Sequence, residues 1–222
     1  MFKSPLIIIY LALVLSLSLT GCSSRLPNTT TPPQQSIQQR NQQMLHLNTW
    51  SIKGKIAFIE QLATKKTKRQ SASLRWEFSK QPLKQNRQQS DKQNTKSSQK
   101  IDLTTFLGIN VLHVESSNDE HTLKVDGKTY HGKNLSQMIE QLTGLLLPTK
   151  ALSYWLKGIP FDQKEQITYN NENNLPEKLI TSQWQVLYGN YKNFSGYMLA
   201  TKITVLHDNL RIKIAINKWS NL

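Results

Sequence analysis

Residues 135–160 read LSQMIEQLTGLLLPTKALSYWLKGIP, and the architecture follows from this segment and from what flanks it. Leu135, Met138, Ile139 and Leu142 fall at i, i+3, i+4 and i+7, the spacing of one buried helix face. Gly144 ends that helix, because a glycine just past the last turn adopts the left-handed conformation without penalty. Pro148-Thr149 opens a second helix, on which Leu152, Trp155 and Leu156 share a stripe, and Gly158-Ile159-Pro160 stops it.

On both sides of this pair the hydrophobic period drops to two. Upstream, Ile52, Ile56 and Phe58 alternate with Lys53, Lys55 and Ala57, and Leu74, Trp76 and Phe78 alternate with Arg75 and Glu77. Further strand patterns run over Lys100–Thr105, Ile109–Glu115 and His121–Val125, with Asp126-Gly127 as a hairpin turn before Lys128–His131. Downstream they cover Lys178–Ser182, Trp184–Tyr191, Leu199–Leu206 and Leu210–Trp219. In the last of these, Leu210, Ile212, Ile214 and Ile216 face one way and Arg211 and Lys213 the other. A short helix over Gln38–Asn48, contacting through Met44, Leu45 and Leu47, opens the domain. The chain is therefore mostly β with two or three short helices, and without βαβ alternation its sheet should be antiparallel. Roughly ten strands with helices inserted mid-chain suggest an incomplete antiparallel β-barrel, a curved sheet whose apolar cavity the helices cover. A flat sandwich satisfies the same periodicity.

The first 21 residues are read apart from this domain. Lys3 is followed by about 14 mostly apolar residues, Leu6 to Leu19, and then Leu19-Thr20-Gly21-Cys22. The apolar run is short for a membrane span, which takes roughly 20 residues. It reads as a signal peptide over residues 1–21, ending at a sequence similar to the box at which lipoprotein precursors are cut. Cys22 is the chain's single cysteine, so no intramolecular disulfide is possible, and lipidation of Cys22 accounts for a thiol that would otherwise stand free after export. Ser23 replaces the aspartate that usually retains such proteins at the inner membrane, and similarity to that sorting rule points to the outer membrane. Residues 22–37, rich in Pro, Thr, Gln and Ser, form a flexible tether, and 38–222 the domain, with a polar insertion at about 81–99 that reads as a mobile insertion or a long hairpin loop.

The 222 residues carry 28 Lys and Arg against 14 Asp and Glu, a net +14. Eleven of the cations stand between Lys65 and Lys100, against Glu77 and Asp91. Such a balance suits anionic lipid headgroups, an acidic protein or nucleic acid, and export makes nucleic acid an unsuitable partner. For the folded part an acidic partner is preferred, and lipid for Lys65–Arg69 and the insertion. No catalytic constellation stands out. His46, His113, His121, His131 and His207 sit at no metal-ligand spacing, although His113, His121 and His131 occupy neighbouring hairpin strands. There is no G-x-S-x-G elbow and no Walker-type phosphate loop. The reading is a protein that is no enzyme and uses no cofactor or metal, with an envelope hydrolase as the weaker rival. Inward apolar side chains, including Trp50, Trp76, Trp155, Trp184 and Trp219, suit either a solid core or a lined cavity. Thr104-Thr105-Phe106-Leu107-Gly108 is unusual, because turns between strands normally carry polar residues. Such a tip either meets a partner or membrane or folds under a helix.

Taken in order, these pieces resemble the LolB family of outer-membrane lipoprotein receptors, from about Leu47 to Trp219. The resemblance is carried by Trp50-x-x-x-Gly54-Lys55-Ile56-Ala57, Leu74-x-Trp76 and Phe106-Leu107-Gly108, the last standing where the family has Pro-Leu-Gly. It continues through Leu142-Thr143-Gly144-x-x-x-Pro148 and Leu152-x-x-Trp155-Leu156-x-Gly158-x-Pro160. It closes with Gln183-Trp184-Gln185-Val186-x-Tyr188, Arg211-Ile212-Lys213 and Trp219. Two departures stand out: Phe106 replaces the loop proline, and the 81–99 insertion exceeds the family's usual hairpin.

The resemblance implies a monomer that takes the acyl chains of other lipoproteins from the periplasmic carrier LolA and inserts them into the inner leaflet of the outer membrane. It implies a membrane-insertion loop of Phe106, Leu107 and Gly108, with Leu107 at the family's protruding leucine. For the acyl cavity the candidates are Ile56, Phe58, Trp76, Leu103, Met138, Ile139, Leu142, Leu152, Trp155, Leu156, Trp184 and Ile214. The competing expectation is a structural or adaptor lipoprotein of the envelope with a solid interior and no acyl binding.

Overall fold

The computed structural model describes residues 35–222 apart from 65, 83–94, 106, 107, 109, 145 and 146. The expected leader (1–21), the lipidation residue Cys22, most of the tether, the middle of the polar insertion, Phe106 and Leu107 lie outside the described residues. The folded unit begins at Gln35, inside the stretch read as tether. Its first element, α1 (Ile37–His46), starts there because Ser36 and Gln39 form a capping box, each side chain meeting the other's backbone N–H at 3.2 Å.

Six strands follow: β1 (Thr49–Gln61), β2 (Thr67–Pro82), β3 (Thr95–Thr104), β4 (Asn110–Ser117), β5 (Glu120–Val125) and β6 (Lys128–Gly132). Then come α2 (Leu135–Thr143) and α3 (Thr149–Trp155). The chain ends in β7 (Gln166–Tyr169), β8 (Pro176–Ile180), β9 (Gln185–Phe194), β10 (Tyr197–His207) and β11 (Leu210–Ser220). All the strands join one open, curved antiparallel sheet in the order β6-β5-β4-β3-β2-β1-β11-β10-β9-β8-β7. The strands before the helices wind outward to one edge, β6, and those after them wind back from the other edge, β7. The segment holding α2 and α3 must therefore run from edge to edge, and the shortest path lies over the concave face. This connectivity is what puts the helices over the mouth.

The seam of the sheet is the β1–β11 pair, which joins the two halves of the chain. A register shift between Lys53 and Gly54 marks a bulge, and a Cβ on Gly54 would collide with the Ala215 carbonyl, so only glycine fits this close approach. From Leu210 to Ile216 in β11 the alternation is strict, with Leu210, Ile212, Ile214 and Ile216 buried and Arg211, Lys213 and Ala215 exposed, and it breaks at the bulge, where Asn217 and Lys218 are both exposed. Each such buried side chain contributes about 2 kcal/mol. Asp126 and Gly127 both have positive φ, 49° and 74°, as a two-residue type I′ hairpin turn demands. Helix α2 is capped by the Asn134 side chain, which accepts from the Gln137 N–H, and ends at Gly144 with φ 72°.

Two sequence expectations need correction. The polar stretch 81–99 is not loop throughout: β2 and β3 pair as far as Pro82↔Thr95, so 81–82 and 95–99 belong to the ladder. Backbone pairing needs no apolar residues, and these extensions run mostly through exposed Ser, Thr, Lys and Gln, which show no alternation. Strand β7 was unforeseen, because four residues, Gln166–Tyr169, are too few to show a period. Among the described residues the strands number eleven, in keeping with the roughly ten expected.

Candidate functional site

Beneath α2 and α3 lies a hollow of about 50 Å³, walled by the inner faces of β1 to β4 and β11 and by the two helices. Ile56, Phe58, Trp76, Leu103, Ile139, Leu152 and Ile214 line it, all among the candidates drawn from the sequence. Leu74, Ile101, Leu112, Val114, Leu147, Thr149 and Ile212 complete the wall. Thr149 is the one hydroxyl in this lining, and it lies 3.0 Å from the Ser136 hydroxyl, which ties the start of α3 to α2. The rest of the wall is hydrocarbon and indole, so the space is dry and suited to apolar guests.

The remaining candidates sit elsewhere. Met138 packs against Gly132, where an added Cβ would approach its sulfur to 2.7 Å. Leu142 is half-buried against the core. Trp155 donates Nε1–H to Glu165 at 3.0 Å and lies 6.2 Å from the Trp184 ring, while Leu156 is fully buried beside it. Trp184 in turn stacks on His207 at 4.4 Å. These five fill solid packing next to the hollow. The strand residues missed from the wall were within reach of the pattern: Leu74, Ile101, Leu112 and Ile212 lie two positions from wall residues on the same strand face, and Val114 follows Leu112. Leu147 and Thr149 belong to the joint between helices, where no period operates.

Around the hollow the polar groups divide sharply. Arg40 is 2% exposed, and its guanidinium donates to the carbonyls of Gly158 (2.9 Å) and Lys157 (2.8 Å). Lys157, 6% exposed, donates its ammonium to the carbonyls of Met44 (2.9 Å) and Leu47 (3.3 Å). Burial holds both groups below their usual range, Lys157 down to about 8. The same desolvation pushes Tyr188 and Tyr191 up. These contacts fasten the end of α3 to α1.

The histidines do not converge. On the convex face His113 donates to Asp102 at 2.6 Å and lies 3.1 Å from Glu115, whose carboxyl this contact holds below its usual range. His131 sits 3.1 Å from the Thr122 hydroxyl on the same face, whereas His121 is buried on the concave side. Among the described residues no three His, Cys, Asp or Glu are grouped to hold a metal, and no helix is long and apolar enough to cross a membrane. Of the proposed insertion loop only Gly108 is described. It has φ 79°, is exposed, and donates its N–H to the Thr105 carbonyl at 3.0 Å.

Residues 48–219 match the family described as Outer membrane lipoprotein LolB. The outer-membrane lipoprotein LolB of Shewanella sediminis is 30% identical over 223 residues, covering 99% of this chain and 88% of its own. That of Aeromonas salmonicida is 29% identical over 208 residues, 92% of each. Among solved structures, a domain from Vibrio parahaemolyticus, described as a candidate outer membrane lipoprotein-sorting protein, superposes with a TM-score of 0.52. It covers 83% of this chain and 90% of its own at 9% identity, a likeness of fold alone. By this match over most of its length, the chain belongs to the LolB family of outer-membrane lipoproteins.

Proposed function

We propose that this protein, lipid-anchored through Cys22 and facing the periplasm from the outer membrane, accepts acylated lipoproteins from a LolA-like carrier and inserts them into the inner leaflet. Its family role is in outer-membrane lipoprotein localisation. The observation that carries the finer reading is the apolar wall under α2 and α3. A lipoprotein's acyl chains are stranded in water, where each methylene is worth about 0.8 kcal/mol, and a dry hollow removes that penalty without any covalent step.

The size of the hollow adds a condition. At about 50 Å³ it is smaller than the roughly 150 Å³ cavity that admits one benzene ring, so acyl chains enter only as the helices lift. The hinge lies where α3 is fastened by Lys157 and Arg40, and the moving part is α2 with the start of α3. On the convex face of β1, β10 and β11, Lys53, Lys55, Lys202, Arg211, Lys213 and Lys218 are exposed, and none makes an ion pair among the described residues. Such a field speeds encounter with an acidic carrier.

Titration with an acylated peptide tests the reading. Saturable binding supports it, and its absence leaves the scaffold reading in place. For the loop, Leu107→Glu keeps acyl binding but lowers delivery to liposomes by at least about tenfold, because a carboxylate at an inserting tip costs on the order of 2 kcal/mol. Loss of acyl binding in that variant would show that Leu107 belongs to the hollow instead.

A further inference from the structure

We propose that the rim of the concave face, above the hollow, binds the ester and amide carbonyls of the acyl ligand. This rests on the acyl-binding reading and assigns the other end of the same guest. The ladder register places side chains in rows across the sheet. One inward row runs Ile52, Trp76, Ile101, Val114 and Leu123, and it is apolar apart from the indole nitrogen. The next inward row, two residues toward the rim and so about 7 Å away, runs Trp50, Phe78, Gln99, Ser116 and His121. On β3, β4 and β5, though not on β1 and β2, the change from hydrocarbon to polar side chains occurs within one pleat.

The rim donors are unmet. Ser116 and His121 are ladder partners, 9% and 6% exposed, and neither the Ser116 hydroxyl nor either ring nitrogen of His121 has a hydrogen-bond partner. The Lys133 backbone acts on the His121 ring without reaching hydrogen-bond geometry. Trp50 Nε1 and Trp76 Nε1, also buried, are unpartnered as well. Native folds rarely leave buried donors unmet, and several in one place call for a ligand. Ser116 and His121 are among the residues lining a cleft of about 660 Å³ that the first turn of α3 also bounds, their unpartnered polar atoms covered, and Thr149 stands between this cleft and the hollow, lining both.

The chemistry selects the guest. Indole N–H groups only donate, so the ligand atom is an acceptor. Desolvated neutral donors suit a neutral carbonyl, which gives up less hydration on burial than an anion does. A tail in the apolar row and carbonyls one row above describe an acyl ester or amide, as carried by a lipidated cysteine.

Paired lipids test this: a dialkanoyl glycerol ester and the dialkyl glycerol ether of equal chain length, titrated against the full folded protein. The wild type binds the ester about tenfold more tightly, the worth of one net hydrogen bond. Ser116→Ala, nearly isosteric, erases most of that preference, leaves ether affinity unchanged and does not lower the melting temperature, because it removes an unmet donor. Ser116→Ala combined with His121→Phe erases the remainder. Equal affinities in the wild type, or an intact preference in the Ser116→Ala protein, overturn the rim site while ether binding still upholds the hollow. Binding of neither lipid overturns the acyl reading and the rim site with it.

Discussion

The two flanks of the space under the helices are built on opposite rules. On the α1 side, two buried cations meet backbone carbonyls: Arg40 those of Gly158 and Lys157, and Lys157 those of Met44 and Leu47. Nearby, the Glu165 carboxylate accepts from Trp155 Nε1 and from the Phe161 N–H at 2.7 Å, and the Tyr191 hydroxyl donates to the Pro176 carbonyl. Arg40 Nε and the Tyr188 hydroxyl are this flank's exceptions. On the β3–β5 side, volume is left unfilled and Ser116 and His121 make no hydrogen bond. One flank is arranged to stay shut. The other holds back packing and hydrogen bonds that a guest could complete. On the proposed reading, stability and guest binding therefore occupy different sides of the same cover, and substitutions on the two sides should separate them.

The largest effect is expected at Arg40. Arg40→Met strips two buried carbonyls of a charged donor and should lower unfolding free energy by about 3 kcal/mol in urea titration, since hydrogen bonds to charged groups count for more than neutral ones. Ser116→Ala, on the opposite flank, should stay within about 0.5 kcal/mol of the parent. Comparable losses for the two variants would erase the distinction between the flanks.

Filling the hollow comes next. Ile139→Trp adds an indole to a space of about 50 Å³, and overpacking costs about 1–3 kcal/mol. Acylated-peptide affinity should fall by at least about tenfold, or about 1.4 kcal/mol, because the indole takes the space a chain would enter. If that variant binds as the parent does, the guest lies somewhere other than beneath α2.

Much of the fold, though little of this division, was legible in the sequence, and the unread part has physical causes. Strand and helix identities came from periods of two and 3.6, which held for β11, whose inward residues are buried, and for α2, where Leu135 and Ile139 are buried and Met138 and Leu142 half-buried on one face. The seven wall residues foreseen are inward residues of strands and helices, where period and burial coincide. The five that fell outside the wall are inward too. Periodicity gives the face of an element but not how far along it the space ends, so Trp155 and Trp184 could not be told from Trp76. Arg40 and Lys157 were invisible as posts, because a cation in a sequence reads as surface until a tertiary partner explains its burial. The rim was hidden for the same reason. Ser116 and His121 become neighbours only through the β4–β5 register, and their lack of partners is a fact of three dimensions.

The smallest expected effect concerns Lys157 and gives the comparison a pH signature. Burial lowers this ammonium in the folded state from 10.5 to about 8, while the unfolded chain keeps the ordinary value. Between those two values the unfolded state binds more protons than the native one, so stability rises with pH. Below pH 8 the group is charged in both states and the burial penalty is borne in full. From pH 8 to pH 9 the gain should be about 1 kcal/mol. Lys157→Met carries no titrating group and should show that rise no longer, so the measurement is the difference in slope between the two proteins in urea titrations across this window. Parallel slopes would mean that Lys157 is solvated in the folded state and does not bolt α3 to α1. The α1 flank would then rest on Arg40 alone, and the end of α3 would be free to move with its beginning.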